Sequence, residues 1–196
     1  MTAAKPSRTA RVLSFGAYQA TWWACVLGAG SSWALAGVAG TALFALAHVA
    51  TTHAFQRELA LVLAATALGV LVDSVLVLTG AVVFPGAVSL GPLLTPLWMV
   101  ALWTGFGATL SATLAWVLTS SMRAMVFGAL AGPFAYLGGT RLGPMVIPDP
   151  VAPHLVLVAG AWAGAMVALA AVYRTVGQAG PVEDGGHGMS TDVRAL

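Results

Sequence analysis

Hydrophobic positions in this chain run on without the polar interruptions that an amphipathic helix or a period-two strand would impose. Continuous apolar stretches cover approximately residues 12–30, 33–52, 59–80, 93–118, 124–143 and 154–173, and Gly, Pro, Ser or Arg punctuates the gaps. A hydrocarbon core ~30 Å thick needs roughly 20 apolar residues per helical crossing, which each stretch supplies. Within lipid only helices and closed barrels satisfy their own backbone, and barrel strands would alternate. The pattern therefore predicts an all-α fold, a polytopic membrane bundle of about six transmembrane helices.

Charge sharpens that picture. Between Val12 and Tyr173 the only charged side chains are Arg57, Glu58, Asp73, Arg123, Arg141 and Asp149. The whole chain is 59% hydrophobic and 7% charged with a mean hydropathy of +0.91, far from the roughly 25% charged residues of a soluble domain. One membrane domain uses up the 196 residues. The net charge of +2 is spread singly over helix ends, which makes no nucleic-acid patch. Lys5, Arg8, Arg11, Arg57, Arg123, Arg174 and Arg194 all fall on one side of the six stretches, and short cytoplasmic loops concentrate such residues. Both termini are thus expected in the cytoplasm. The opposite connectors, Ser31–Ser32, Phe84–Pro92 and Pro144–Pro153, hold no Lys or Arg.

Three parts follow: a cytoplasmic segment 1–11, a membrane domain 12–173 and a tail 174–196. The tail mixes Gly185, Gly186 and Gly188 with acidic residues and is expected to be disordered. The basic start could imitate a secretory signal, but Trp22 and Trp23 at the middle of the first stretch and five further stretches favour a retained helix. The single Cys25 allows no intramolecular disulfide and no Cys-based metal cluster.

Polar residues inside the stretches are the candidates for chemistry. Asp73 lies about two thirds of the way toward the outer surface, counting ~1.5 Å per residue from Leu59. Insertion scales charge roughly 3 kcal/mol for a central Asp, so it should face the bundle interior and find a partner or stay protonated. Tyr136 reaches the same depth, and Arg141 lies near the outer boundary, from which its side chain can extend toward an acid. These three, with Ser74 as a neighbour, are expected to form one outer-leaflet polar cluster that is either a helix clamp or the lining of a pocket. Pro133 removes one backbone hydrogen bond beside it. A second polar level nearer the cytoplasm holds Gln19, His48, Ser111 and Thr113. His48 is a packing residue or a proton relay. No second His stands at ligand spacing, so no metal and no cofactor is expected.

Of seven tryptophans, Trp33, Trp98 and Trp116 lie near predicted boundaries and read as interfacial anchors. Trp22, Trp23, Trp103 and Trp162 lie deeper, as core or as the wall of an acyl-chain or flat-ligand site. Gly128-x-x-x-Gly132, Gly139-x-x-x-Gly143 and Gly160-x-x-x-Gly164 place small residues on one helix face, for packing within the bundle or for a homodimer. Nucleotide, hydrolase-elbow and zinc-helix motifs are absent from the sequence. An inverted three-plus-three repeat is not visible either, which weakens a transporter reading.

The segment Tyr18-Gln19-Ala20-Thr21-Trp22-Trp23, the step Val72-Asp73-Ser74 with Phe84-Pro85-Gly86 after it, Pro96-Leu97-Trp98 through Trp103, and Gly132-Pro133-x-x-Tyr136-x-x-Gly139-x-Arg141 together resemble the bacterial DUF2878 family. The resemblance spans about residues 12 to 173. It implies a small multi-pass protein of the bacterial inner membrane with no assigned activity, and motif positions Gln19, Asp73, Trp98, Trp103, Pro133, Tyr136 and Arg141. An Asn-His pair is frequent in that family where this chain has Ser111-Ala112. Genes of that family often neighbour ones resembling cyclopropane-fatty-acid synthases, from which the resemblance implies a role in acyl-lipid modification.

Three functions are open on these grounds. The first is a binding or accessory protein that holds a lipid-like or small amphipathic molecule at Asp73, Tyr136 and Arg141, with Gln19, His48, Trp98 and Trp103 around it. The second is a membrane enzyme or accessory factor in acyl-lipid modification, with Tyr136 or His48 as acid or base. The third is a small proton-linked transporter with Asp73 as carrier. Membrane lipid is the expected partner and nucleic acid is not.

Overall fold

Each of the six apolar stretches becomes helix. The computed structural model describes residues 8–29, 31, 33–87 and 95–178, and among them are seven α-helices and no strand. They are α1 (Arg8–Gly28), α2 (Ala34–Thr51), α3 (Phe55–Leu78), α4 (Leu97–Thr113), α5 (Ala115–Leu118), α6 (Ser121–Leu142) and α7 (Val151–Gln178). Helices α2, α3 and α7 are long and apolar enough to cross a membrane. The tail beyond residue 178, expected to be disordered, and the first seven residues lie outside the described residues, as does 88–94 of one outer connector.

The fourth stretch departs from the expected single span. It breaks at Leu114, whose φ of −113° and ψ of 11° separate α4 from the one-turn α5. The hydroxyls of Thr109 and Thr113 bond back to the carbonyls of Phe106 and Thr109 just before the break. Such back-bonding competes with the helical ladder and bends helices.

Large apolar side chains cover the exterior. Leu35, Leu43 and Leu46 on α2, Leu63, Leu71 and Leu78 on α3, and Leu130 and Phe134 on α6 are all exposed. In water a surface of this kind would drive association; against hydrocarbon it costs nothing. The interior is organised around α4, which is buried at every position from Ala101 to Leu110 except Thr104. A helix apolar on all sides belongs in the middle of a bundle, and α4 packs on α1, α2 and α3, while α6 and α7 pair and reach the rest chiefly through α3 and α7. At the outer end, Val83 and Val146 exchange backbone hydrogen bonds of 2.9 and 2.8 Å, which ties the α3–α4 connector to the α6–α7 connector.

Antiparallel α3 and α4 carry a polar ladder on their shared face. Ser111 donates to Glu58, Thr66 and Thr104 bond to each other at 2.9 Å, and Trp103 donates to Asp73. The three α3 positions are spaced eight and seven residues apart, about two helical turns each, so they share one side. Missing side chains let the helices close on it. A Cβ on Gly107 would meet Val62 Cα at 2.8 Å, and one on Gly69 would overlap the Trp103 indole. Gly128 and Gly132 likewise receive Trp162 of α7, so the Gly128-x-x-x-Gly132 face serves packing within the bundle. Gly160 and Gly164 meet nothing within 4 Å.

Gly69→Ala should therefore displace Trp103 and lower stability in detergent by about 1–3 kcal/mol, the range for overpacking a tight contact. Gly164→Ala should stay within about 0.5 kcal/mol. Unfolding midpoints of the two variants, measured side by side, check this; equal midpoints would contradict the steric role of Gly69.

Candidate functional site

Asp73 sits near the C-terminal end of α3, fully buried. The ladder face of α3 aims it at α4, where Trp103 Nε1 donates to Oδ2 at 2.9 Å. From the other side Tyr136 of α6 donates its hydroxyl to Oδ1. One acid thus joins three helices through two neutral donors. The rings around it pack on each other: Trp103 and Trp162 have centroids 4.6 Å apart, and Tyr136 meets Trp162 edge-on at 6.3 Å. In these apolar surroundings an unbonded carboxyl would be costly, and each donor offsets part of that cost.

Arg141 does not join this cluster. It is exposed in the last turn of α6, and among the described residues no hydrogen bond or ion pair links it to Asp73. The reason is angular. Five residues separate it from Tyr136, which at 3.6 residues per turn places the two about 140° apart around the helix axis. Depth alone put Tyr136 and Arg141 in one cluster; the helical face separates them. Trp98 is a second correction, because it is 2% exposed and packs edge-on against Phe84 instead of anchoring at the interface. Trp33 and Trp116 are exposed, as anchors would be. Ser74 is buried beside Asp73 with no protein partner for its hydroxyl.

The inner polar level contains a residue that reading the apolar runs missed. Glu58, in the first turn of α3, is 2% exposed. Its Oε2 accepts from Ser111 Oγ at 2.6 Å and lies 3.2 Å from His48 Nε2, while Oε1 accepts from Arg57 Nε and an Arg57 terminal nitrogen at 3.1 and 2.8 Å. This cluster joins α2, α3 and α4. Its serine bonds the carboxylate and not the imidazole, so it lacks the nucleophile–base pair of acyl transfer. The signal available in sequence was the recurrence of Glu58, Thr66 and Asp73 on one face.

Two neighbouring hollows share part of their walls near these clusters. A cavity of about 60 Å³ is bounded by Trp98, Trp103, Phe106, Tyr136 and Trp162 among others. A crevice of about 510 Å³ opens between α1 and α6, which scarcely touch. Gln19, Thr109 and Thr113 contribute polar groups to it, and exposed Phe15, Trp23 and Phe134 stand at its edges. Tyr18, Trp22, Phe106, Ala135 and Trp162 bound both hollows. His48 bounds neither, so of the expected site residues Asp73, Tyr136, Trp98, Trp103 and Gln19 gather at or beside them, and His48 and Arg141 do not. Tyr18 is a site wall not singled out in the sequence as such, whereas Trp162 is one of the deep tryptophans expected as core or as a wall. Among the described residues no group of three or more His, Cys, Asp or Glu side chains is placed to hold a metal ion.

Fold and site together define a membrane-like all-helical protein with a buried acid–aromatic cluster and a hollow open to its apolar exterior. The chain belongs to the DUF2878 family, described as a protein of unknown function, whose model matches residues 11–168. No curated protein and no solved structure matches it.

Tyr136→Phe leaves Asp73 Oδ1 without its donor and should cost about 1–3 kcal/mol, whereas Arg141→Gln should change stability by no more than about 0.5 kcal/mol. Thermal unfolding in detergent reads both. A larger loss for Arg141→Gln than for Tyr136→Phe would reinstate the ion pair.

Proposed function

We propose that this is a multi-pass inner-membrane protein that binds a lipid-like amphipathic molecule, as a carrier of that molecule or an accessory to an enzyme acting on it. The supporting observation is the crevice between α1 and α6. Its volume falls within the roughly 300–1,000 Å³ of small-molecule sites, which are mostly apolar with a few placed polar groups. It opens at mid-bundle, where the neighbouring medium would be acyl chains, and its inner wall is shared with the cavity beside Tyr136. A chain lying in the crevice would bring its polar end against the acid–aromatic cluster.

The orientation proposed with it has α4 and α5 as one crossing, giving six, and both termini in the cytoplasm. Arg8, Arg57, Arg123 and Arg174 then share the inner face. Arg174 at the end of α7 donates to Ser121 at the start of α6 at 3.1 Å, in keeping with those ends lying on one side. A proton-linked transporter is the weaker reading. Along α3 the Thr66–Thr104 pair stands about 10 Å from Asp73 and about 12 Å from Glu58, and packing at Gly69 and Gly107 closes the face between them.

The test fills the crevice. Gly138 bounds it and a Cβ there meets nothing within 4 Å, so Gly138→Phe should fold normally while occupying the groove. Native mass spectrometry of protein extracted in lipid nanodiscs should show retained lipid falling about tenfold, equivalent to ~1.4 kcal/mol. Equal lipid retention at equal thermal stability would remove the proposal.

A further inference from the structure

We infer that the polar end of the bound molecule is an uncharged hydrogen-bond acceptor, an acyl carbonyl of an ester, received by the indole N–H of Trp98. This rests on the binding reading above and specifies its ligand. Trp98 is buried, it bounds the small cavity, and its Nε1 has no acceptor among the described residues. Indole nitrogen only donates, and an unmet buried donor is costly. The hydrogen-bonding capacity that Trp98 leaves over at this cavity is therefore donor capacity, and an acceptor is what complements it.

The alternatives fit less well. No Lys, Arg or His bounds the cavity, so a phosphate or carboxylate would enter an apolar space unpaired, close to Asp73. A quaternary ammonium would suit the aromatic walls, yet it offers no acceptor to the Trp98 N–H, and both Asp73 oxygens are already engaged by Tyr136 and Trp103. Size agrees with a small terminal group: about 60 Å³ against ~30 Å³ for one water in the liquid. The longer crevice takes the chain.

The experiment uses the full chain in nanodiscs with methyl 9,10-dibromostearate as probe, read by bromine quenching of tryptophan fluorescence. Hexadecyl phosphate, hexadecyltrimethylammonium, hexadecane and methyl palmitate then compete with it. Methyl palmitate should displace the probe at concentrations about tenfold below the other three, and Trp98→Phe, which keeps an aromatic side chain and removes the N–H, should weaken the ester by about five- to tenfold. Equal displacement by the phosphate, the ammonium or hexadecane overturns the inference while leaving the crevice occupied. A folded Trp98→Phe protein with unchanged ester affinity also overturns it, and the headgroup ranking on the unaltered protein decides the matter if that variant does not fold. Failure of the binding reading looks different: the probe would quench wild type no more than Gly138→Phe.

Discussion

A carboxyl group inside an apolar bundle has to be answered, and the way Asp73 is answered organises the packing of α3, α4, α6 and α7 around it. Trp103 and Tyr136 donate to its two oxygens from α4 and α6. For Trp103 to reach across, α3 must lack a side chain at Gly69. For Tyr136 to reach in, α6 must lie close to α7, which it does because Gly128 and Gly132 accept Trp162. Trp162 in turn stacks on Trp103. Acid, donors and glycines thus form one interdependent set, in which moving any member shifts the others, as is usual for hydrogen-bonded networks at low dielectric.

The two buried acids are satisfied by different means, and the difference follows from depth. Glu58 stands at a helix end, where Arg57 and His48 can reach it while their own side chains stay part-exposed, and where the N-terminal dipole of α3 favours negative charge. Asp73 is held entirely by neutral donors. Bringing a guanidinium to it would bury a second charge, whose desolvation can outweigh the attraction gained. Arg141 instead remains exposed on another side of α6, where an aqueous or headgroup environment hydrates it.

Much of the architecture was readable from the uninterrupted apolar runs, because lipid allows few alternatives to a helix for each of them. Helix ends shifted by a few residues, and the break at Leu114 was hidden because Thr109 and Thr113 interrupt hydrogen bonding without interrupting hydrophobicity. Depth arithmetic correctly levelled Asp73 with Tyr136, and His48 with Ser111. It failed where angle about the axis decides: it admitted Arg141 and left out Tyr18 as a facing wall. Glu58 was lost for another reason. Lying one residue outside the drawn span, it looked like a loop charge, whereas α3 begins at Phe55 and takes it inside.

The hollow between α1 and α6 can be traced to where the small residues lie. At the α3–α4 and α6–α7 contacts glycines meet backbone or an indole ring and let the helices close; at the α1–α2 contact Gly37 does the same against Ala24 and Cys25. The α1 and α6 surfaces that face each other carry Phe15, Trp22, Trp23, Phe127 and Phe134, bulky rings that hold two helices apart. In water a gap walled by such rings would tend to collapse under the hydrophobic effect. Between acyl chains that force is absent, since lipid tails are as apolar as the side chains they would replace. A seam of this composition is therefore stable open in a bilayer, and what fills it most readily is what surrounds it.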